Sequence, residues 1–169
     1  MKVKAIIFIL FVALFGCRKD TGPNVTLNGA LTDCPANFSC NYSYYDNADF
    51  TNIKLPVQGN YRVFWYDSQN TVSCGTIIQF YFKIPLTVSS FEFSSNQIVA
   101  GQIIAQDIDC LCCGRAVLAT EPIGGEIKGK RTDATHWLIN ASIVFGLTYN
   151  KAPVDTLVVN QYFTLQKLP

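Results

Sequence analysis

Two kinds of reactive side chain lie together near residue 110. Asp107 and Asp109 fall on one face of a predicted strand, directly before the sequence Cys110-Leu-Cys-Cys113. Two carboxylates on one face can serve as the acid and base of a glycosidase, and a C-x-x-C spacing occurs at a helix start in thiol oxidoreductases. The residues after Cys113 predict a turn and a strand instead. An enzyme or thiol redox module using residues 107–113 is therefore the alternative function, and solvated acids with structural cystines are the favoured interpretation.

Metal-ligating patterns are poorly developed in this sequence. A zinc site would draw on four cysteines, namely Cys74, Cys110, Cys112 and Cys113. Zinc ligand pairs are usually separated by about two to four residues, so two adjacent cysteines suit one tetrahedron badly. The oxygen-rich sequence Asp46-Asn-Ala-Asp49 lacks the spacing of an EF-hand calcium loop. The chain has one histidine, His136, which excludes sites that need two. We predict no catalytic residue, no metal and no cofactor.

The N-terminus has the three-part organisation of an export signal. Lys2 and Lys4 form a positive segment, and an uncharged apolar run follows over residues 5–15. This run is shorter than the roughly 20 residues that a membrane-spanning helix needs, and it fits the apolar segment of a cleaved secretory signal. We therefore exclude residues 1–16 from the folded domain.

The sequence Leu14-Phe15-Gly16-Cys17 resembles the lipobox of bacterial lipoproteins. That resemblance implies cleavage before Cys17 and acylation of its thiol with palmitate-type chains, which anchor a protein stably when more than one is present. Lys19-Asp20 is similar to the sorting context of small Bacteroidetes surface lipoproteins, which implies a location on the outer membrane, on its periplasmic side or at the cell surface. The resulting organisation is a signal peptide (1–16), a lipidated tether (17–24) and one domain (25–169).

Removing Cys17 from the seven cysteines leaves an even number. The six are Cys34, Cys40, Cys74, Cys110, Cys112 and Cys113. Because exported proteins meet an oxidising compartment, an even count predicts disulfides, although the sequence does not select one of the possible connectivities. Cys34 and Cys40 bracket a turn-forming segment, which favours a local bridge between them. Cys74 is expected to reach the cluster at 110–113.

Alternation with a period of two dominates from residue 53 onward and predicts strands. The clearest are residues 76–84, 137–145 and 157–165. Weaker strands are predicted at 25–31, 41–45, 61–66, 97–108, 115–119 and 126–130. No long segment has helical periodicity after the signal. Short strands separated by turns predict a single all-β domain, an antiparallel β-sandwich with a small β-barrel as the alternative.

The surplus of aromatic residues suggests a binding role. Tyr42, Tyr44 and Tyr45 follow the proposed Cys34–Cys40 loop, and stiff amphipathic rings suit contact with sugars or proteins. Without the signal, 11 basic residues face 12 acidic ones, because two of the 13 lysines and arginines leave with it. Such a near-neutral composition does not predict the basic surface that binds nucleic acid. The sequence thus predicts a non-enzymatic lipoprotein, attached to a membrane by its anchor, that binds a protein or glycan partner.

Overall fold

The alternating segments form strands of one continuous sheet. The computed structural model describes residues 22–27, 29–50, 56–72, 76–108 and 119–169, with backbone alone for 107 and 108. The strands are β1 (Phe38–Asp49), β2 (Val57–Gln58), β3 (Tyr61–Asn70), β4 (Ile77–Pro85), β5 (Ser90–Phe93), β6 (Ile103–Ile108), β7 (Thr120–Arg131), β8 (His136–Leu147) and β9 (Pro153–Leu165). One short helix, α1 (Ser95–Val99), lies between β5 and β6.

The predicted all-β class is confirmed. The strand order is β5-β7-β8-β9-β1-β3-β4-β6, with β2 paired to β1. Every pair in this order is antiparallel except β1 and β9, which run parallel. The sheet curls so that one face closes on itself as a half-barrel, an arrangement consistent with a sandwich or barrel-like fold. The parallel pair departs from the predicted antiparallel pattern. It needs a long connection, which the many residues between β1 and β9 provide.

The concave face of the curled sheet holds the core. In β8 the alternate residues Trp137, Ile139, Ala141, Ile143 and Phe145 are completely buried. Aromatic rings fill the centre: the Phe64 ring lies 5.0 Å from that of Phe82 and 5.2 Å from that of Trp137, between ring centroids. Such offset and edge-on contacts are the favourable arrangements for aromatic pairs. The apolar residues that alternate with polar ones along the strands thus pack together in one interior.

The curl brings the two edges of the sheet towards each other. Phe82 of β4 contacts Phe91 and Phe93 of β5, with ring centroids 5.1 and 5.4 Å apart. Helix α1 contacts both β6 and β7, and it inserts the fully buried Ile98 into the interior. This seam between the edges is closed by side chains, since β5 is hydrogen-bonded to β7 and β6 to β4.

Two of the weaker strand predictions are wrong. Residues 97–108 begin in α1 and become strand only at Ile103, because Ser94 and Gln97 form a capping box that starts the helix. The described residues of 25–31 are not a strand. Residues 115–118 lie outside the described residues. The segments predicted at 41–45, 61–66 and 126–130 lie within β1, β3 and β7, and β3 is central as its aromatic character on both faces suggests.

Candidate functional surfaces at the two ends of the half-barrel

Strand pairing defines two ends of the half-barrel. Tyr44 pairs with Leu165, Thr164 with His136, and Ser90 with Lys130, so the chain segments beyond these residues lie at one end. We call it the tether end; it comprises residues 22–23, 46–49, 61–62, 83–90, 130–136 and 165–168. The opposite, distal end comprises residues 33–41, 67–72, 77–78, 119–121 and 147–155.

The first described residues are attached to the tether end. The Ser90 hydroxyl donates a hydrogen bond to the carbonyl oxygen of Pro23. Gly22 lies so close to Ser90 that an added Cβ would overlap both its side chain and its backbone. Farther along, the amide nitrogen of Thr32 donates to the Asn160 carbonyl oxygen at 2.9 Å. The segment that precedes β1 is therefore held against the domain, including its residues 22–24, which the sequence assigns to a tether.

A shallow concavity of about 460 Å³ opens at the tether end. Its lining comes from the end of β1, from β2, from the β7–β8 turn and from the C-terminal segment: Asp46, Asn47, Gln58, Thr135, Leu165, Gln166, Lys167 and Leu168. The C-terminal segment lies beside β1 because the Gln166 amide donates to the Tyr44 carbonyl oxygen at 2.8 Å. The concavity has the size of a small-ligand site but is open to solvent.

A buried charge pair lies beneath this concavity. Arg62 is 3% exposed, and its Nε and Nη2 donate to the two carboxylate oxygens of Asp46 at 2.5 and 2.9 Å. Its guanidinium carbon lies 4.9 Å from the Trp137 ring centroid and 5.6 Å from that of Tyr44. A guanidinium over an aromatic face gains cation–π attraction. The pair closes the interior at the tether end, and the sequence offered one signal for it: Arg62 alternates onto the same face as Phe64 and Tyr66.

The single histidine belongs to a turn. His136 Nδ1 lies 3.0 Å from the Asp133 carboxylate, which also accepts hydrogen bonds from the amides of Thr135 and His136. These bonds, first that from the Thr135 amide, lower the pKa of Asp133 to about 2. Among the described residues, no hydrogen bond reaches the other ring nitrogen. The Thr135 hydroxyl also lies 3.1 Å from His136 Nδ1 and 3.1 Å from an Asp133 carboxylate oxygen. These contacts orient the β7–β8 turn.

The two acidic residues of segment 46–49 form ion pairs with basic side chains of the protein itself. Asp46 pairs with Arg62, and Asp49 pairs with Lys83 at 2.8 Å. The hydrogen bond from Lys83 is the main cause that lowers the pKa of Asp49. In the part of the chain that the structure describes, no group of three or more histidines, cysteines or acids is placed to hold a metal ion.

The three candidate tyrosines do not share one surface. Tyr42 and Tyr44 lie on one face of β1, as alternation predicts, but it is the core face. Tyr44 is completely buried, and its hydroxyl donates to the Ala134 carbonyl oxygen at 3.4 Å, so its ring is not available to an external ligand. Tyr42 is half-buried against Tyr66 and Phe163, and burial raises its pKa to about 12. Tyr45 points to the other face and remains a candidate contact residue.

The structure contains the expected local bridge between Cys34 and Cys40, at the distal end. The other cysteines singled out from the sequence, Cys17, Cys74, Cys110, Cys112 and Cys113, lie outside the described residues. Asp109 lies outside them too, and Asp107 is described by its backbone in β6. The glycosidase-like pair and the thiol cluster therefore stay predictions.

The outer face of β9 carries three exposed apolar side chains. Val154 is 48% exposed, Val158 56% and Tyr162 42%. Val158 and Tyr162 are four residues apart and so share a face, but Asn160 between them is buried, because Ala30 and Thr32 are hydrogen-bonded to it. Val154 lies where the pairing with β8 is irregular, and Leu157, Val159 and Phe163 enter the core. We call these three residues the β9 stripe. Single exposed apolar residues are ordinary; three of them on one strand make the β9 stripe a candidate contact surface.

Comparison with known proteins gave no assignment: no family model, no curated protein and no solved structure matches the chain. Within the described residues, no helix is long and apolar enough to cross a membrane.

Proposed function

We propose that this chain is a membrane-anchored lipoprotein of the bacterial cell envelope, whose β domain is a non-enzymatic binding module for a protein or a glycan. The observation that carries the proposal is the lipobox-type sequence ending at Cys17, only five residues before Gly22. Five residues span at most about 18 Å. A lipidated Cys17 would thus hold the domain next to the bilayer, at the end where Gly22 and Pro23 meet Ser90.

The carboxylates of the tether end are engaged by side chains of the protein itself. A general acid or base needs a side chain free to exchange a proton with a substrate. At the tether end, the carboxylates of Asp46, Asp49 and Asp133 are each bound to a basic side chain of the protein itself. These contacts stabilise the ends of strands and the β7–β8 turn.

Lipidation is tested by replacing the acylated residue. In Cys17→Ser, radiolabelled fatty acid should no longer enter the protein, and membrane association should be lost. The matched control removes the distal bridge, Cys34→Ser with Cys40→Ser, and keeps Cys17; it should retain the label. Equal incorporation into the Cys17→Ser protein would refute the anchor.

Partner binding is tested on the β9 stripe. Val158→Glu adds a charge at a position 56% exposed, and Val99→Glu does the same on α1 at a position 58% exposed. Glycan-array binding and cross-linking to neighbouring envelope proteins should fall at least about tenfold in Val158→Glu, the cost of losing about 1.4 kcal/mol of contact. The Val99→Glu protein should behave like the wild type. If no glycan or protein binds the wild type, the module has another role.

The redox alternative depends on free thiols in the cysteine cluster. Counting thiols on the exported protein in denaturant, before and after treatment with a mild reductant, discriminates the two functions. Structural cystines predict no reactive thiol among the six, whereas a dithiol redox centre would release two on mild reduction.

A further inference from the structure

Charged side chains are sorted between the two ends of the half-barrel. At the tether end, Lys130, Arg131 and Lys167 are exposed, and none of them meets an acidic side chain among the described residues. The guanidinium of Arg131 donates only to the carbonyl oxygens of Asp133 and Ala134. Asp46 and Asp49 are paired with Arg62 and Lys83. Asp133 is then the one remaining acid among the described residues of this end, against three further cations. The tether end therefore presents unbalanced positive charge.

The distal end has the opposite balance. Asp33 and Asp155 have no basic partner in the described part of the chain, and Asp67 accepts a hydrogen bond from the neutral Asn41. Among the residues of this end that the structure describes, Lys151 is the one cation, and it is paired with Glu121. The described residues thus carry a charge difference along the axis of the half-barrel, in a chain with a formal charge of only +1.

We propose that the tether end is a docking surface for anionic lipid headgroups, so that the domain stands on the bilayer with its distal end outward. This inference rests on the proposed function, because the anchor at Cys17 would bring that end within about 18 Å of the bilayer. Close approach matters, since screening at physiological salt limits such attraction to about 8 Å.

Two further side chains suit this surface. Tyr61 is 38% exposed and Leu165 36% exposed, both at the tether end. The ammonium group of Lys83 lies 4.6 Å from the centroid of the Tyr61 ring. Tyrosines are enriched where protein meets the headgroup layer, with the ring towards the lipid and the hydroxyl in water. Basic side chains attract the anionic surface beside them.

The experiment measures lysine accessibility on the lipidated full chain. The protein is bound to vesicles of phosphatidylcholine alone or with about one third phosphatidylglycerol, and a water-soluble amine reagent is applied. Peptide mass spectrometry then reports each lysine. Labelling of Lys130 and Lys167 should slow at least about threefold on the anionic vesicles, while Lys151 at the distal end should not change. Salt at about 0.5 M should remove the difference by screening.

Charge reversal gives the matched variants. Lys130→Glu with Arg131→Glu should abolish the slower labelling of Lys167, whereas Lys151→Glu should preserve it. A thermal melt of each variant establishes that it is folded. Equal labelling of Lys130 and Lys167 on both vesicle types, with the protein still bound, overturns the docking surface and leaves the anchor intact. Equal slowing of all three lysines overturns it as well. Loss of membrane attachment because Cys17 carries no lipid would instead refute the proposed function.

Discussion

Arg62 is the charged residue that lies in the core of the described domain. Its guanidinium contacts two aromatic faces and both oxygens of Asp46, whose side chain is 30% exposed. Burial of a charge is tolerated only when its hydrogen bonds are satisfied. The pair therefore links the end of β1 to the start of β3, and it covers the aromatic interior at this end.

Arg62→Met should be strongly destabilising. The substitution keeps much of the volume, but it leaves the Asp46 carboxylate without its partner and removes the cation from the Trp137 face. Breaking a buried pair costs roughly 3–5 kcal/mol, and the partial exposure of Asp46 reduces this to about 3 kcal/mol, or a melting temperature roughly 10 °C lower.

Lys83→Met is the control for that prediction. Lys83 and Asp49 also form an ion pair, but both are partly exposed, at 37% and 27%. Exposed pairs contribute about 0–1 kcal/mol. If thermal denaturation showed the two variants equally affected, burial of Arg62 would not be what makes its pair important.

Asp133 should make stability depend on pH in the acid range. Its pKa of about 2 in the folded protein lies below the usual value of about 3.9. A carboxylate with a depressed pKa favours the folded state above pH 4, and this contribution is lost as the pH falls towards 2. Between pH 5 and pH 2, the melting temperature of the wild type should therefore fall more steeply than that of Asp133→Asn. Parallel curves would contradict the turn as the source of the effect.

At the scale of elements, the β7–β8 hairpin depends on one glycine. The pairing shifts between Pro122 and Gly124, which leaves Ile123 as an extra residue. Next to it, Gly125 has a φ of +129°, and an added Cβ would overlap the Ser142 carbonyl group across the hairpin. A bulge of this kind bends the strand and increases its twist, which helps the sheet to curl.

Gly125→Ala should destabilise the domain by more than about 2 kcal/mol, since it adds a steric overlap to an unfavourable backbone conformation. Gly101→Ala is its control. Gly101 also has a positive φ, of +80°, but no atom lies within 4 Å of the added Cβ. Its cost should be about 1 kcal/mol, from the backbone alone. Chemical denaturation measures both; similar losses would mean that the contact with Ser142 relaxes easily.

The elements that the sequence predicts best are strands with one face towards solvent and one face buried. β8 is the clearest, because every second residue from Trp137 to Phe145 is apolar and buried. The local disulfide between Cys34 and Cys40 could also be predicted from the sequence, since a short turn-forming segment separates the two cysteines. Both features depend on residues that are neighbours along the chain.

Features that depend on contacts between distant segments could not be predicted from the sequence. Alternation places Tyr42 and Tyr44 on one face but does not say that this face is the core, which follows only from β1 lying between β9 and β3. The parallel contact of β1 with β9 joins opposite ends of the sequence. Helix α1 was missed for a different reason: it is too short to show a helical period, and the capping box at Ser94 and Gln97 was its only local signal.

At the scale of the whole molecule, the nine-stranded sheet is curled, but no strand pairing joins its two edges within the described residues. The rings of Phe82, Phe91 and Phe93 cross the seam, and Ile98 fills the space beside them. Dispersion and burial of apolar area, rather than a continuous strand ladder, must then keep the edges together. The edges should consequently be the least stable part of the sheet.

Ile98→Ala tests that conclusion at the seam. Removing a fully buried isoleucine side chain should cost about 2–5 kcal/mol, depending on how far the cavity collapses. Because the strand contacts of α1 are mainly with β6 and β7, the loss should be local at first. Native-state hydrogen exchange should show faster exchange in β5 and β6, with protection in β9 reduced only by as much as the global stability falls. Uniform acceleration in all strands would mean that the curled sheet opens as one cooperative unit, with no weaker seam.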